Sequence, residues 1–409
     1  MKKTLPIENI FLFVIFCMPL YLIKVTILSM PTNIFELLAI FLIMIAVFQQ
    51  KKLSAIDETS KLPTILTLSS ILILIGVFVS TILNDSYLGG FGILKSWFIL
   101  PMFFSYLLFI QIKSKILLER IYLSLYVSTF FVGLLAIIYK ILNITTYDNR
   151  LSAFYSSPNY LAMYLASGIF FGIYLFLKSY SINKKSKQTF FYFLSLLITL
   201  SSLYYTYSYG AWIAFLASMF LTLTIIKTNK KIILIGGTTL IVSALILFAL
   251  QINTEKFLSI QDLSSRSSLA SRQTIWQVSK VLIEKNAFFG IGPGNFQKSY
   301  LEMQHNFPPY LEWAVPQPHN IFIAFWLQAG LLGLIGFLLL LFVIISTFWS
   351  IFKDKKKTAL AAPLLGFFIY TILHGLIDTT YWKNDLSFLF WLCVFLLLNL
   401  HNYKKEITS

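Results

Sequence analysis

Few residues in this sequence can carry chemistry, and they are widely spaced. His319 and Asn320 stand together where a loop meets an apolar run, just after Pro316 and Pro318. Gly330 follows after nine intervening residues, and Gly333 comes shortly after it. Histidine takes and gives protons near neutral pH, so His319 is a candidate acid–base group. The plainer reading is a residue that anchors a helix end at a membrane interface. Gly330 and Gly333 also have a plainer reading, close packing of helices through small residues. There are four arginines: Arg150, Arg266 and Arg272 fall in connectors poor in lysine, whereas Arg120 lies near a lysine-rich helix end. Arginine offers a planar fork that grips phosphate or carboxylate, which the point charge of lysine does not. His374 and Asp378 are spaced to share a helix face. They can line a polar cavity or simply satisfy each other. His305 reads as a solvated loop residue, and His401 lies at the opposite end of its span.

A membrane domain must hold these groups. The 409 residues are 58% hydrophobic and 12% charged, whereas soluble domains carry about 25% charged residues. That excludes a soluble globular domain and predicts an all-α polytopic membrane protein. The net charge of +16 reads as basic cytoplasmic loops, not as a nucleic-acid-binding surface. Cys17 and Cys393 sit in apolar runs and read as small buried hydrophobes. The apolar run after the N-terminal lysines lacks a small-x-small cleavage site, so it reads as a first span and not as a signal peptide. A span needs about 20 apolar residues. Twelve are expected, near 8–28, 33–50, 63–83, 91–111, 116–140, 157–177, 189–207, 210–227, 231–251, 319–351, 360–378 and 386–402.

The connectors alternate in charge. One set carries Lys51, Lys52, Lys113, Lys184, Lys185, Lys230, Lys355 and Lys356; the other is poorer in lysine for its length. By the positive-inside rule the first set is cytoplasmic. Both termini are then inside, and the long loop 251–318 is outside. The chain is one membrane domain, 1–409, with that loop inserted between spans nine and ten. Within the loop, SRQTIWQVSKVLIEK has helical spacing, with Ile275, Val278, Val281 and Leu282 on one face and Ser271 as a cap. NAFFGIGPGNF reads as a turn around Pro293.

The motif of histidine and asparagine, nine residues and then G-x-x-G resembles the signature of the bacterial O-antigen ligase family. It is similar in the related O-antigen polymerases and bacterial O-oligosaccharyltransferases. ASRQTIW (270–276), GIGPGNF (290–296), RLSAFYSSPNYLAMYLA (150–166) and HGLIDTTYWKNDLSFLFWL (374–392) also look like this family. There is one departure. The turn YTYSYGAW (205–212) has Ser208-Tyr209-Gly210 where the family usually has Ser-Arg-Gly.

The resemblance implies a glycosyltransferase in the cytoplasmic (inner) membrane, working on its extracytoplasmic face in cell-surface polysaccharide biosynthesis. The donor would be a glycan on a polyprenyl pyrophosphate. The acceptor hydroxyl would belong to a glycan, lipid or protein, and membrane lipid would surround the site. His319 would be the base. Arg150, Arg272, Arg266, Asn320, His374 and Asp378 would contact substrate. A departing pyrophosphate gains charge and needs positive donors. The sequence has no D-x-D and no metal-ligand spacing, so arginines are expected to supply them without metal or cofactor. Alternatives are a polysaccharide polymerase of the same family, a lipid-linked-sugar flippase, or a scaffold for glycan assembly. A transporter should carry ionisable groups at mid-membrane; here the polar groups collect at one end of the spans.

Overall fold

The computed structural model describes residues 7–27, 30–50, 62–112, 114–226, 230–252, 254, 257, 268–308 and 315–402. Fourteen helices are followed here: α1 (Ile7–Phe16), α2 (Ile34–Gln50), α3 (Thr64–Leu83), α4 (Tyr87–Gln111), α5 (Lys115–Ile141), α6 (Pro158–Ile182), α7 (Lys187–Tyr205), α8 (Tyr209–Ile225), α9 (Lys230–Gln251), α10 (Ser268–Lys285), α11 (Phe296–Met303), α12 (Ile321–Ile351), α13 (Lys355–Gly375) and α14 (Asn384–Asn402). An antiparallel hairpin of β1 (Lys24–Ile27) and β2 (Met30–Asn33) joins α1 to α2. Among the described residues the protein is all-helical apart from this hairpin, and it is a multi-pass membrane protein.

Eight helices among the described residues are long and apolar enough to cross a membrane: α3, α4, α5, α6, α9, α12, α13 and α14. They correspond to eight of the twelve expected spans. The other four fall on α1, α2, α7 and α8, which are shorter or more polar. The expected first span, 8–28, is not one helix. It stops at Phe16 and continues as a tight turn, Met18–Leu22, and then β1. Pro19 explains the break, because proline has no N–H to donate and its ring clashes with the preceding helical turn. In α7 the hydroxyls of Thr189, Ser195, Thr199 and Ser202 are buried. Ser202 donates to the Gly133 carbonyl of α5 at 2.7 Å, so this helix packs by polar contacts as well as apolar ones.

Two features position the site. The first is α14, which is buried on nearly every side and carries Phe388, Phe390 and Trp391 into the core. A helix that is apolar all round belongs inside a bundle. The second is the contact between α3 and α12. A Cβ on Gly76 would lie 2.5 Å from the Gly333 nitrogen, and one on Gly336 would lie 2.8 Å from the Ser69 carbonyl oxygen. Small residues let these two backbones touch. Gly330 behaves differently. It breaks α12 with φ 66° and ψ −175°. The break is bridged from outside: Leu331 N donates to Phe288 O at 2.9 Å, and Ile291 N donates to Leu327 O at 2.7 Å. The glycine turn 290–294, with φ of 67° at Gly290, is thereby locked into the interrupted helix.

Candidate active site

The site is built where several helix ends meet. The C-terminal end of α13 runs out at Gly375, and Leu376, Ile377 and Asp378 follow as a short irregular segment. Three groups from elsewhere fasten onto it. Asn320 Nδ2 donates to Leu376 O at 3.0 Å, and Arg272 Nε donates to Ile377 O at 2.7 Å. The His319 ring meets the Asp378 carboxylate, Nδ1 to Oδ1, at 2.9 Å.

Asn320 also caps α12. Its side-chain oxygen accepts from Phe322 N at 2.9 Å and Ile323 N at 3.1 Å, which satisfies donors that a helix start leaves open. One residue earlier, His319 sits in left-handed backbone with φ 48°, a conformation that costs a non-glycine residue about 1–2 kcal/mol. The strained residue is held from both sides. Trp276 Nε1 donates to Pro318 O at 3.1 Å, and Asp378 holds the ring. Arg272 and Trp276 lie one turn apart on α10, so this one helix braces both 376–378 and 318–319. The helix extends from Ser268, so Ser271, expected as its cap, lies inside it. Ile275, Val278 and Leu282 are buried as expected.

The second Asp378 oxygen is also engaged. Asn159 Nδ2 donates to it at 3.2 Å, and Arg272 Nη2 lies 3.6 Å away. Thr379 N donates to Oδ1 at 2.8 Å. The side chain is 1% exposed. Burial pushes this carboxyl up, but the His319 ring and the Arg272 guanidinium outweigh burial and hold it well below the usual carboxylate range. It is therefore ionised near neutral pH and can only accept hydrogen bonds. His319 must then carry its proton on Nδ1, which leaves the Nε2 lone pair to accept one. Among the described residues no group bonds Nε2, and the His319 side chain is 25% exposed.

Asn159, which the sequence offered only as the asparagine after proline in the 150–166 stretch and without a role, is the hub. Its oxygen accepts from Arg150 Nη2 at 2.6 Å and from Ser208 Oγ at 3.2 Å, while its nitrogen serves Asp378. Arg150 Nε also donates to Thr206 O at 2.9 Å. The SPN start of α6 was the available signal, since an asparagine in a first helical turn points its amide out of the helix end. Ser208-Tyr209-Gly210, the turn without its usual arginine, still contributes a hydroxyl to this hub, and Tyr209 OH donates to Gln251 Oε1 at 2.9 Å. The starts of α6, α8 and α12 all open onto the cluster, which favours bound anions.

The structure thus brings together Arg150, Arg272, His319, Asn320 and Asp378. His374 is not Asp378's partner as the spacing suggested. The helix ends between them, and the buried His374 ring bonds Tyr370 OH at 2.9 Å instead. Arg266 lies outside the described residues. Arg120, at the far end of α5, bonds Asn9 at 2.6 Å. His305 is exposed on the loop.

A family model described as O-antigen ligase matches residues 194–338. The match covers most of α7, the whole long loop, His319, Asn320 and the break at Gly330. Those residues are an O-antigen ligase family segment. Arg150, Asn159 and Asp378 lie beyond it, yet they close onto it. No curated protein matches the chain.

Proposed function

From that family assignment, we propose that the chain transfers a glycan from a polyprenyl pyrophosphate to an acceptor hydroxyl on the extracytoplasmic face of the membrane. The hydroxyl oxygen attacks the anomeric carbon, and its proton passes to His319 Nε2. The bond from that carbon to the phosphate oxygen breaks, and the carrier leaves as a pyrophosphate anion. Asp378 orients the ring and stabilises the imidazolium; His319 later returns the proton to water. A positioned base contributes roughly 10²–10⁴-fold. Arg150 and Arg272 face the leaving anion, and such donors count most when they strengthen in the transition state. Asn320 positions the histidine and Asn159 positions the arginine. No divalent ion is needed in this scheme.

The observation that carries the reading is the 2.9 Å contact between His319 Nδ1 and Asp378, inside a ring of arginines and helix starts at one end of the bundle. It fits surface chemistry better than passage through the membrane. The test is transfer from a purified polyprenyl-pyrophosphate-linked glycan by the full-length protein in nanodiscs. His319→Ala should bind donor and lose turnover, whereas His305→Ala should be mild. Full activity in His319→Ala would remove the histidine from the chemistry. Inhibition by a chelator, with rescue by magnesium, would sink the metal-free scheme. Donor crossing vesicles without release of carrier pyrophosphate would favour a flippase.

A further inference from the structure

Five residues beyond Asp378, in the same connector, stands a lysine that the mechanism above does not use. The Lys383 ammonium lies 3.2 Å from the centre of the Tyr160 ring and 3.4 Å from Ser156 Oγ. Tyr160 and Ser156 flank the hub residue Asn159 along the chain. Lys383 therefore joins the two segments that build the site, the corner at 150–160 and the connector after α13.

Its charge is poorly balanced. Each guanidinium of the site already faces a carboxylate: Arg272 has Asp378 at 3.6 Å and Arg150 has Asp148 at 3.9 Å. Part of each charge is balanced before any substrate arrives. Among the described residues no carboxylate comes within 4 Å of Lys383, and its single hydrogen bond leaves donors of the ammonium unused. A leaving pyrophosphate carries at least two negative charges, so it needs a cation that the protein has not already neutralised.

We propose that Lys383 is that cation and contacts the pyrophosphate of the donor as it departs. The inference rests on the glycosyl-transfer reading. The aromatic face and the serine hold the ammonium in place without cancelling it. Burial brings the Lys383 pKa down to about 8; Asp385 and Asp378 pull it up, and Lys24 of the hairpin pushes it down. The charge is thus present at neutral pH and lost as pH rises through that value.

Inorganic pyrophosphate binding to the purified full-length protein tests this by calorimetry. Lys383→Gln should weaken binding about tenfold or more, the scale of one lost charged hydrogen bond, and Lys383→Arg should restore it. Between pH 7 and pH 9.5, wild-type affinity should fall severalfold relative to Lys383→Arg, because arginine stays charged. This comparison between variants cancels the titration of pyrophosphate itself. A merely structural brace would not move it. Wild-type affinity in Lys383→Gln, with binding still weakened by Arg272→Lys, overturns the role of Lys383 and leaves the transfer reading standing. If Lys383→Gln does not fold, a wild-type pH dependence identical to that of Lys383→Arg overturns the role equally. A wild type that does not bind pyrophosphate at all overturns both.

Discussion

Asp378→Asn is the substitution that separates chemistry from architecture. The shape is kept, and the amide oxygen goes to the side of the donors Asn159 Nδ2 and Arg272 Nη2, so Thr379 N loses the acceptor it has at 2.8 Å and the amide nitrogen faces the His319 ring. Two things change. The new amide can donate to His319 Nδ1, which would move the ring proton to Nε2 and occupy the lone pair that should take the acceptor's proton. The imidazolium formed during reaction would also lose its counter-charge. The wild-type contact is 2.9 Å. Two unit charges about 4 Å apart interact by about 4 kcal/mol at an effective dielectric of 20. That corresponds to about a thousandfold in rate, at about 1.36 kcal/mol per decade. The Arg272 guanidinium on the other oxygen draws part of the carboxylate's field, so the expected loss is about 10²–10³-fold. The loss should fall on kcat more than on KM, since the missing interaction strengthens only in the transition state. The assay is single-turnover transfer from purified lipid-linked donor by protein with a wild-type elution profile and melting temperature. A rate within about tenfold of wild type, when His319→Ala is inactive, would refute the dyad and leave Asp378 as a structural acceptor.

Arg272→Lys should lose about tenfold to a hundredfold in kcat/KM although charge is conserved, because one ammonium cannot both donate to Ile377 O and face Asp378 as the guanidinium does; near-wild-type transfer by folded protein would contradict this. Gly330→Ala should abolish transfer in protein that still inserts, since a Cβ there would lie 2.6 Å from Phe288 O in backbone that only glycine adopts easily. Gly333→Ala should act mainly on melting temperature, because a Cβ there would lie 2.2 Å from Ala329 Cβ across the break in α12, and equal effects of the two substitutions on both readouts would refute the division.

The sequence made the membrane class and the helix positions legible because apolar length is a local property. It made His319, Asn320, Arg150 and Arg272 legible because these residue types are scarce in such a chain. It could not place Asp378. Spacing paired Asp378 with His374 on one helix face, but the helix ends at Gly375, and whether a helix continues for one more turn depends on tertiary contacts. Here Arg272 and Asn320 take the carbonyls of Ile377 and Leu376, so the helix goes no further than the bond from Asp378 N to His374 O at 2.9 Å, and the Asp378 carboxylate meets His319. The role of Asn159 was illegible for a related reason. An amide carries no charge and no periodic signal, and its value appears only when partners from 150, 208 and 378 converge on it. Cys17-Met18-Pro19 held a local signal, the proline, but the hydropathy of 8–28 masked it.

The four motif residues His319, Asn320, Gly330 and Gly333 divide into two kinds of work. The first pair faces Asp378 and Leu376 and sets the proposed base. The second pair sets where the base is. Gly333 leaves room for Ala329 across the break in α12, since a Cβ there would lie 2.2 Å from Ala329 Cβ. Gly330 lets the glycine turn of the long loop enter the break in the same helix through two backbone hydrogen bonds. That turn is tied to α10 by the chain between Lys285 and Gly290, and α10 carries both Arg272 and Trp276. A shift of the turn relative to α12 would therefore move the arginine and the indole with respect to the histidine they frame. Asn320 and Gly330 stand ten positions apart, which amounts to about 2.8 helical turns. This spacing fixes the distance from the loop's anchor to the His319 ring, so inserting or deleting a single residue there would rotate His319 by about 100° relative to the anchored turn.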